Sequence, residues 1–545
     1  MNFRLFICSV VLGFPAFTGA QESAKNIGLK SINPQAIQAQ LEFLASDWTE
    51  GRETGTRGEH MASDYIASMF KTMGLKPGGD QRMVIRSRNT GTGTLSTIQP
   101  RSYFQNINFI ETTPGGLQEC WLIIREGNSS KEYQLQYQTD FSINPGSYSI
   151  ETEAPVVFVG YGIEDKKLGV DDYKKTDISG KIVLRMAGFP GWRDPASPAY
   201  GRFAGAGSPS QYDAAKDRIA SEKGALAVIE IRNGSTGFTQ AVTNIPFRYN
   251  TETYEGDVPF NTQPRRRLSL PGTGAVSIPR ISLSDRALNS LLSNLGLDPI
   301  AFENAKASGK PVQDVTSGMV MLRINSTVES RIVQGRNVIG ILEGEDNNNC
   351  IVLGAHYDHL GKVNGFVYNG ADDDASGTVG ILTIANAFAS SGIKPENTII
   401  FCAWTAEEKG LLGSKYYVSK AETQKIRCYM NYDMISRTAP DDSTGRKCDF
   451  NFSSGLPIFR QLTEQHIKDY ALKLDMTYQT SARPTGGSDF TSFSTAGIPI
   501  FLIHGKFTPD YHQYTDHADK AVLPYLTDII RLGYLNIFEL ANLKW

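Results

Sequence analysis

From Ile351 to Ile503 the chain repeats one pattern: an apolar, β-favouring run that ends in charged or histidine-bearing residues, then a helical stretch. IVLGAHYD leads into ASGTVGILTIANAFASS, TIIFCAWTAE into GLLGSKYYVSKAE, CYMNYDM into GLPIFRQLTEQHIKDYAL. IPIFLIHG precedes a long C-terminal helix from about Leu523 to Leu543. Apolar strands of this kind are covered on both faces, and their alternation with helices predicts an α/β fold with a mixed, largely parallel central sheet between helical layers. Ligands of such sheets gather beyond the carboxyl ends of the strands. The polar motifs GAHYDHLG, NGADDDASG, WTAEEKG, NYDM and YHQYTDHADK all fall at or just after such ends, and six of the seven histidines lie among residues 354–519.

These motifs offer the ligands of a metal centre. At the end of the first strand, alternation puts His356 and Asp358 on one face and turns His359 away. His356 reads as a ligand. Asp358 reads as the carboxylate that orients the site, through His356 or a neighbour. His359 reads first as a structural residue, with direct involvement the less favoured alternative. The three carboxylates of GADDDASG repel one another unless a cation sits among them; Asp372 is expected to bridge it, while Asp374 suits a helix cap. Glu407 and Glu408 close the next strand, where neighbouring side chains diverge, so one can bind metal while the other moves a proton. Asp433 ends another strand, and His512 lies in the polar loop beyond the last. The expected set is therefore His356, Glu408, Asp433 and His512 as terminal ligands, Asp372 as bridge, Glu407 as general base and Tyr511 as an oxyanion donor. Nitrogen and oxygen donors without thiolate suit catalytic zinc. Two such ions ~3.5–4 Å apart can share a hydroxide and polarise a carbonyl. No nucleophile-elbow pattern competes, since Gly487-Ser488-Asp489 lacks it.

The rest of the chain sets the context. Residues 1–20 carry Arg4, an apolar run from Leu5 to Phe17 and the small pair Gly19-Ala20, which predicts a signal peptide cut after Ala20 and a secreted or periplasmic product. The run is shorter than the ~20 residues a membrane span needs. A formal net charge of -3 gives no reason to expect nucleic acid or an anionic membrane as partner. Residues 21–33 read as a polar, poorly ordered start. Ile37, Leu41 and Leu44, then Met61, Tyr65, Met69 and Met73, mark two helices joined by GRETGTRGEH. A chain of 545 residues exceeds one core. The expected division is 21–145 and 323–545 as one discontinuous domain, with a β-rich insert at 146–322. Outside the leader, Cys120, Cys350, Cys402, Cys428 and Cys448 make an odd number, so at least one thiol is unpaired within the chain.

AHYDHLG, GADDDASG and AEEKGLLGS together resemble the secreted zinc aminopeptidase family that also contains glutamate carboxypeptidase II, transferrin receptor and glutaminyl cyclase. The resemblance implies a three-layer αβα zinc-exopeptidase fold with two Zn2+. His356 and Asp433 would complete one zinc, Glu408 and His512 the other, with Asp372 between them and a cis peptide between Asp372 and Asp373. It also implies Glu407 as base, Asp358 as the orienting aspartate and Tyr511 near the oxyanion. FVGYGIEDKKLGVDDYKKTDISGKIVLRMAG resembles the start of a protease-associated domain, which would make the insert non-catalytic. Ser488-Asp489-Phe490 departs from the Ser-Asp-His of many members. The implied activity is an aminopeptidase acting on peptides. The alternatives are a carboxypeptidase of the same fold, for which Arg483 is a candidate carboxylate partner, a glutaminyl cyclase and a non-catalytic receptor. Oligomeric state is left open.

Overall fold

Strands β1 (Val320–Leu342), β2 (Asp346–His356), β3 (Asn397–Trp404), β4 (Ile426–Asp433), β5 (Lys447–Ser453), β6 (Asp475–Ser481) and β7 (Ile500–His504) lie side by side in the order β6-β5-β7-β4-β2-β3-β1. The computed structural model that shows them describes residues 19–81, 83–86, 95–205, 209–231, 266–272, 277–310, 319–363 and 365–545. β3, β2, β4 and β7 run parallel; β1 is antiparallel to β3, and β5 to β7. The sheet is thus mixed and largely parallel, as its apolar strands predict.

Alternation along β2 divides the core. Ile351, Leu353 and Ala355 face one apolar cluster, Cys350 and Val352 the other. The first cluster takes in helices α1 (Gly19–Ser31), α2 (Pro34–Leu44), α3 (Arg57–Thr72), α4 (Gly377–Ser391), α6 (Ile458–Asp469) and α8 (Leu523–Ala541). The second is covered by α5 (Leu412–Lys420) and α7 (Phe490–Thr495). Helix α1 replaces the disordered start expected of residues 21–33. That segment is polar because it docks by specific contacts instead of an apolar stripe: the Lys25 ammonium reaches Glu539 at 3.3 Å, and the Tyr534 hydroxyl donates to the Lys25 carbonyl.

The chain forms two compact units, 1–108 with 334–545 and, separately, 109–333. In the second, Ile150–Phe158, Ile182–Met186, Ala227–Ile231 and Arg280–Leu283 form a parallel sheet edged by antiparallel Phe141–Asn144. Its limits differ from the 146–322 read from composition because both junctions fall inside continuous strands, Phe104–Glu126 and β1, where no linker marks them. All five cysteines among the described residues are buried and none is in a disulfide there. Among the described residues no helix is long and apolar enough to cross a membrane. Residues 1–18, most of the expected signal peptide, lie outside the described residues.

Candidate metal centre

The strand ends bring the predicted side chains together, with one change at the centre. Asp373, not Asp372, is the carboxylate around which the others gather. Its Oδ1 lies 3.2 Å from His356 Nε2, and its Oδ2 3.1 Å from His512 Nε2. His356 Nε2 is also 3.8 Å from Asp433 and 3.9 Å from Glu407, while His512 Nε2 is 3.3 Å from Glu408. Asp372 instead accepts from the Ser436 amide (2.8 Å) and hydroxyl (2.7 Å), and so braces the loop after β4. Asp374 takes the Gly377 and Met434 amides. The cis peptide is accordingly Asp373-Asp374, one residue later than expected. In a run of three aspartates, spacing cannot tell which carboxylate faces inward; the turn into α4 decides it. Gly370, at φ 53, begins that turn, and a Cβ there would sit 2.1 Å from the Asp373 carbonyl.

His359 is a second correction. It does not point away from the site: its Nδ1 lies 2.8 Å from Glu408 Oε1, and its ligand-type atom and those of Asp373 and Glu408 lie within 4.8 Å of one another. The alternation used to turn it outward ends where β2 ends, at His356. His356, Asp373 and Asp433 form the other such group.

Residues around these groups hold them in place. The Asp358 carbonyl lies 3.1 Å from His356 Nδ1, which directs Nε2 toward Asp373. The Asp358 carboxylate accepts from the Glu407 amide (3.0 Å) and the Thr54 hydroxyl (3.1 Å). Asp516 accepts from the amides of Asp372 and Asp373. Arg52 is fully buried and donates to the carbonyls of Leu44 (2.5 Å), Tyr357 (2.6 Å), Asn369 (2.6 Å) and Gly370 (2.9 Å). It thereby ties the end of β2 to the turn that carries Asp373. No sequence signal marks Arg52, which sits in a Gly-rich connector, or Asp516, which sits in the polar loop of Tyr511 and His512. Tyr511 stacks on His512 with ring centroids 3.9 Å apart and is 37% exposed at the site's rim.

The electrostatics call for cations. Burial raises the pKa of Asp358, Asp372, Asp489 and Asp516 to about 7 and pushes Asp374 and Glu407 well up. Burial would also raise Asp373 and Glu408, but the neighbouring histidines hold both well down. Burial would lower His356 and His512; the surrounding carboxylates lift His356 well above its ordinary range and His512 to about 10. So dense a set of buried acids and imidazoles suits divalent ions better than shared protons. Among the described residues, Asp372 Oδ2 and Asp374 Oδ2 are buried without a hydrogen-bond partner, and His359 Nδ1 and Glu408 Oε1 meet as an ion pair at 2.8 Å. The nitrogen and oxygen donor set fits zinc. A cavity of about 600 Å³ opens from the centre, and no lysine or arginine is among its described lining residues.

Residues 337–532 match the model of Peptidase family M28. This part of the chain is similar to that family. The M28 segment holds every residue of the centre, from His356 to His512. A leucine aminopeptidase 2 from Trichophyton equinum is 35% identical over 202 residues, covering 35% of this chain and 36% of the relative. A probable leucine aminopeptidase 2 from Aspergillus fumigatus is 34% identical over 222 residues, covering 39% and 42%. The match thus spans well under half the length of these relatives. Among solved structures, an aminopeptidase from Aneurinibacillus sp. strain AM-1 aligns over 95% of this chain and 97% of its own, with a TM-score of 0.58 at 20% identity. A zinc aminopeptidase from Bacillus subtilis aligns over 94% and 98%, with a TM-score of 0.51 at 18% identity. At these identities the likeness is one of fold.

Proposed function

We propose that this protein is an exported two-zinc aminopeptidase that removes residues from the free amino end of peptides. The observation that carries the reading is the pair of ligand clusters sharing Asp373, with Glu407 beside them at the base of a cavity. One zinc would be held by His356, Asp433 and Asp373, the other by His512, Glu408 and Asp373. Bound there, the ions would polarise the scissile carbonyl and acidify the attacking water. Glu407 takes the proton from that water and returns it to the departing amine. Its backbone is pinned by Asp358, so the carboxylate stays over the cluster. Tyr511, at the rim, donates toward the developing oxyanion. The names of the M28 relatives, aminopeptidases throughout the examples above, support the same reaction. The insert at 109–333 carries none of this chemistry and is assigned the role of a protease-associated domain.

A carboxypeptidase needs a cation for the substrate's terminal carboxylate. Arg483, the candidate for that role, is exposed and does not line the cavity. The aminopeptidase reading is therefore preferred. Its test is hydrolysis of one peptide in three forms: unblocked, N-acetylated and C-amidated. Acetylation should abolish cleavage and amidation leave it intact; the reverse result assigns a carboxypeptidase. Replacing the proposed base, Glu407→Gln, should lower kcat by roughly 10²–10⁴ while zinc content is unchanged. Near-normal turnover in that variant would take the role from Glu407.

A further inference from the structure

The cavity that opens from the metal centre ends on a polar wall. Two rows of side chains cross its floor on one face of the sheet. Register puts Asp433 of β4, His504 of β7 and Asp449 of β5 in the first row. Asn431, Leu502, Asn451 and, on β6, Gln479 form the second. On the other face of β5, Phe450 and Phe452 belong to the apolar core. Helix α7 packs on β4 and β7; farther out, Asp449, Asn451 and Gln479 line the cavity. Neighbouring strands lie about 4.8 Å apart, so the Asp449 position stands roughly 9–10 Å from that of Asp433 along their row.

This wall offers acceptors. Asn451 Oδ1 is buried and has no hydrogen-bond partner among the described residues. A buried acceptor left so is costly unless a ligand donates to it. Asp449 gives Oδ1 to the Lys506 ammonium, and its Oδ2 has no hydrogen-bond or ion-pair partner among the described residues. His504 directs Nδ1 at the Gly505 carbonyl, 2.6 Å away, so Nε2 of the neutral ring is an acceptor too. Neither Lys506 nor any other lysine or arginine is among the described lining residues.

We propose that this wall receives the side chain of the substrate's first residue and selects lysine or arginine over aliphatic residues. The proposal rests on the aminopeptidase reading given above and names its substrate class. The reacting carbonyl has to sit at the strand-end carboxylates, so the first side chain runs from there across the floor. An extended lysine places its ammonium about 6 Å from its Cα, and a hydrogen bond adds about 3 Å. The sum matches the two-strand step to Asp449. Leucine ends about 4 Å from its Cα and leaves Asp449 and Asn451 unmet. A cation that arrives there finds the free oxygen of Asp449 and the orphaned oxygen of Asn451. A glutamate side chain would meet the same carboxylate and be repelled.

The test is hydrolysis of unblocked aminoacyl coumarylamides of lysine, arginine, norleucine, leucine and glutamate by the zinc-loaded protein. Norleucine is lysine without its ammonium, so the ratio of their kcat/KM values isolates what the wall contributes. Lysine and arginine should exceed norleucine by roughly 10–100-fold, the span of a charge-assisted hydrogen bond, and glutamate should be cleaved least. Asp449→Asn should lower the lysine-to-norleucine ratio by about tenfold. Asn451→Leu should lower it too, by removing an acceptor and adding apolar surface. Zinc content and Tm of each variant report on folding. Leucine or norleucine cleaved as well as lysine by wild type, or a ratio unchanged in both folded variants, overturns the proposal and leaves the aminopeptidase reading standing. Wild type that hydrolyses none of the panel overturns both.

Discussion

Asp373 and its two neighbours show how much one residue's direction decides. All three are chemically identical, yet Asp372 and Asp374 each commit one oxygen to backbone amides while Asp373 faces the histidines. Charge removal separates them. Asp373→Asn should strip zinc from both positions and abolish activity, because the shared ligand is lost. Asp372→Asn should keep both ions, since an amide oxygen can still accept from Ser436. Zinc content of the two purified variants decides the matter; loss of metal from Asp372→Asn alone would return the bridge to residue 372.

The elements that carry these residues are held by close packing as well as by hydrogen bonds. Helix α8 crosses β4 where Gly533 meets Tyr432, the residue before Asp433. A Cβ on Gly533 would sit 1.9 Å from the Tyr432 hydroxyl oxygen, which donates to the Ile529 carbonyl at 2.9 Å. Tyr432 is fully buried and has nowhere to retreat. Gly533→Ala should therefore cost roughly 1–3 kcal/mol in a urea titration, as overpacked cores do. Activity should fall with it, because the end of β4 shifts with Tyr432. A variant as stable as wild type would mean that α8 slides without disturbing the strand.

At the scale of the molecule, the metal centre is a concentration of buried charge that cations relieve. Chelation should lower Tm, and zinc should restore it, since an ion that binds only the folded chain stabilises it by mass action. The loss should depend on pH. Asp358, Asp372, Asp489 and Asp516 are raised from an ordinary 3.8 to about 7, mainly by burial, and Asp374 and Glu407 shift the same way. A carboxyl with a higher pKa in the folded chain binds extra protons there between the two values. Its contribution to stability is therefore full below about 4 and lost as pH rises through about 7. His356 and His512 act in the same direction; Asp373 and Glu408, held low, change stability only at more acid pH and leave this window unaffected. The Tm gap between zinc-loaded and chelated protein should widen from pH 5 to pH 8. A gap independent of pH would mean that the buried acids are not relieved by metal.

Sequence by itself determined the architecture and most of the donor side chains that meet at the strand ends. Apolar strands that end in polar motifs can only be buried in a layered sheet, and their ends then have to converge, which made His356, Glu407, Glu408, Asp433 and His512 legible from position alone. Tertiary structure decided what depends on direction. Which of three adjacent aspartates faces inward, and whether His359 turns toward Glu408, follow from turns beyond the strand ends, where alternation no longer applies. Arg52 and Asp516 were equally unreadable, because each acts on backbone groups brought near it only by folding.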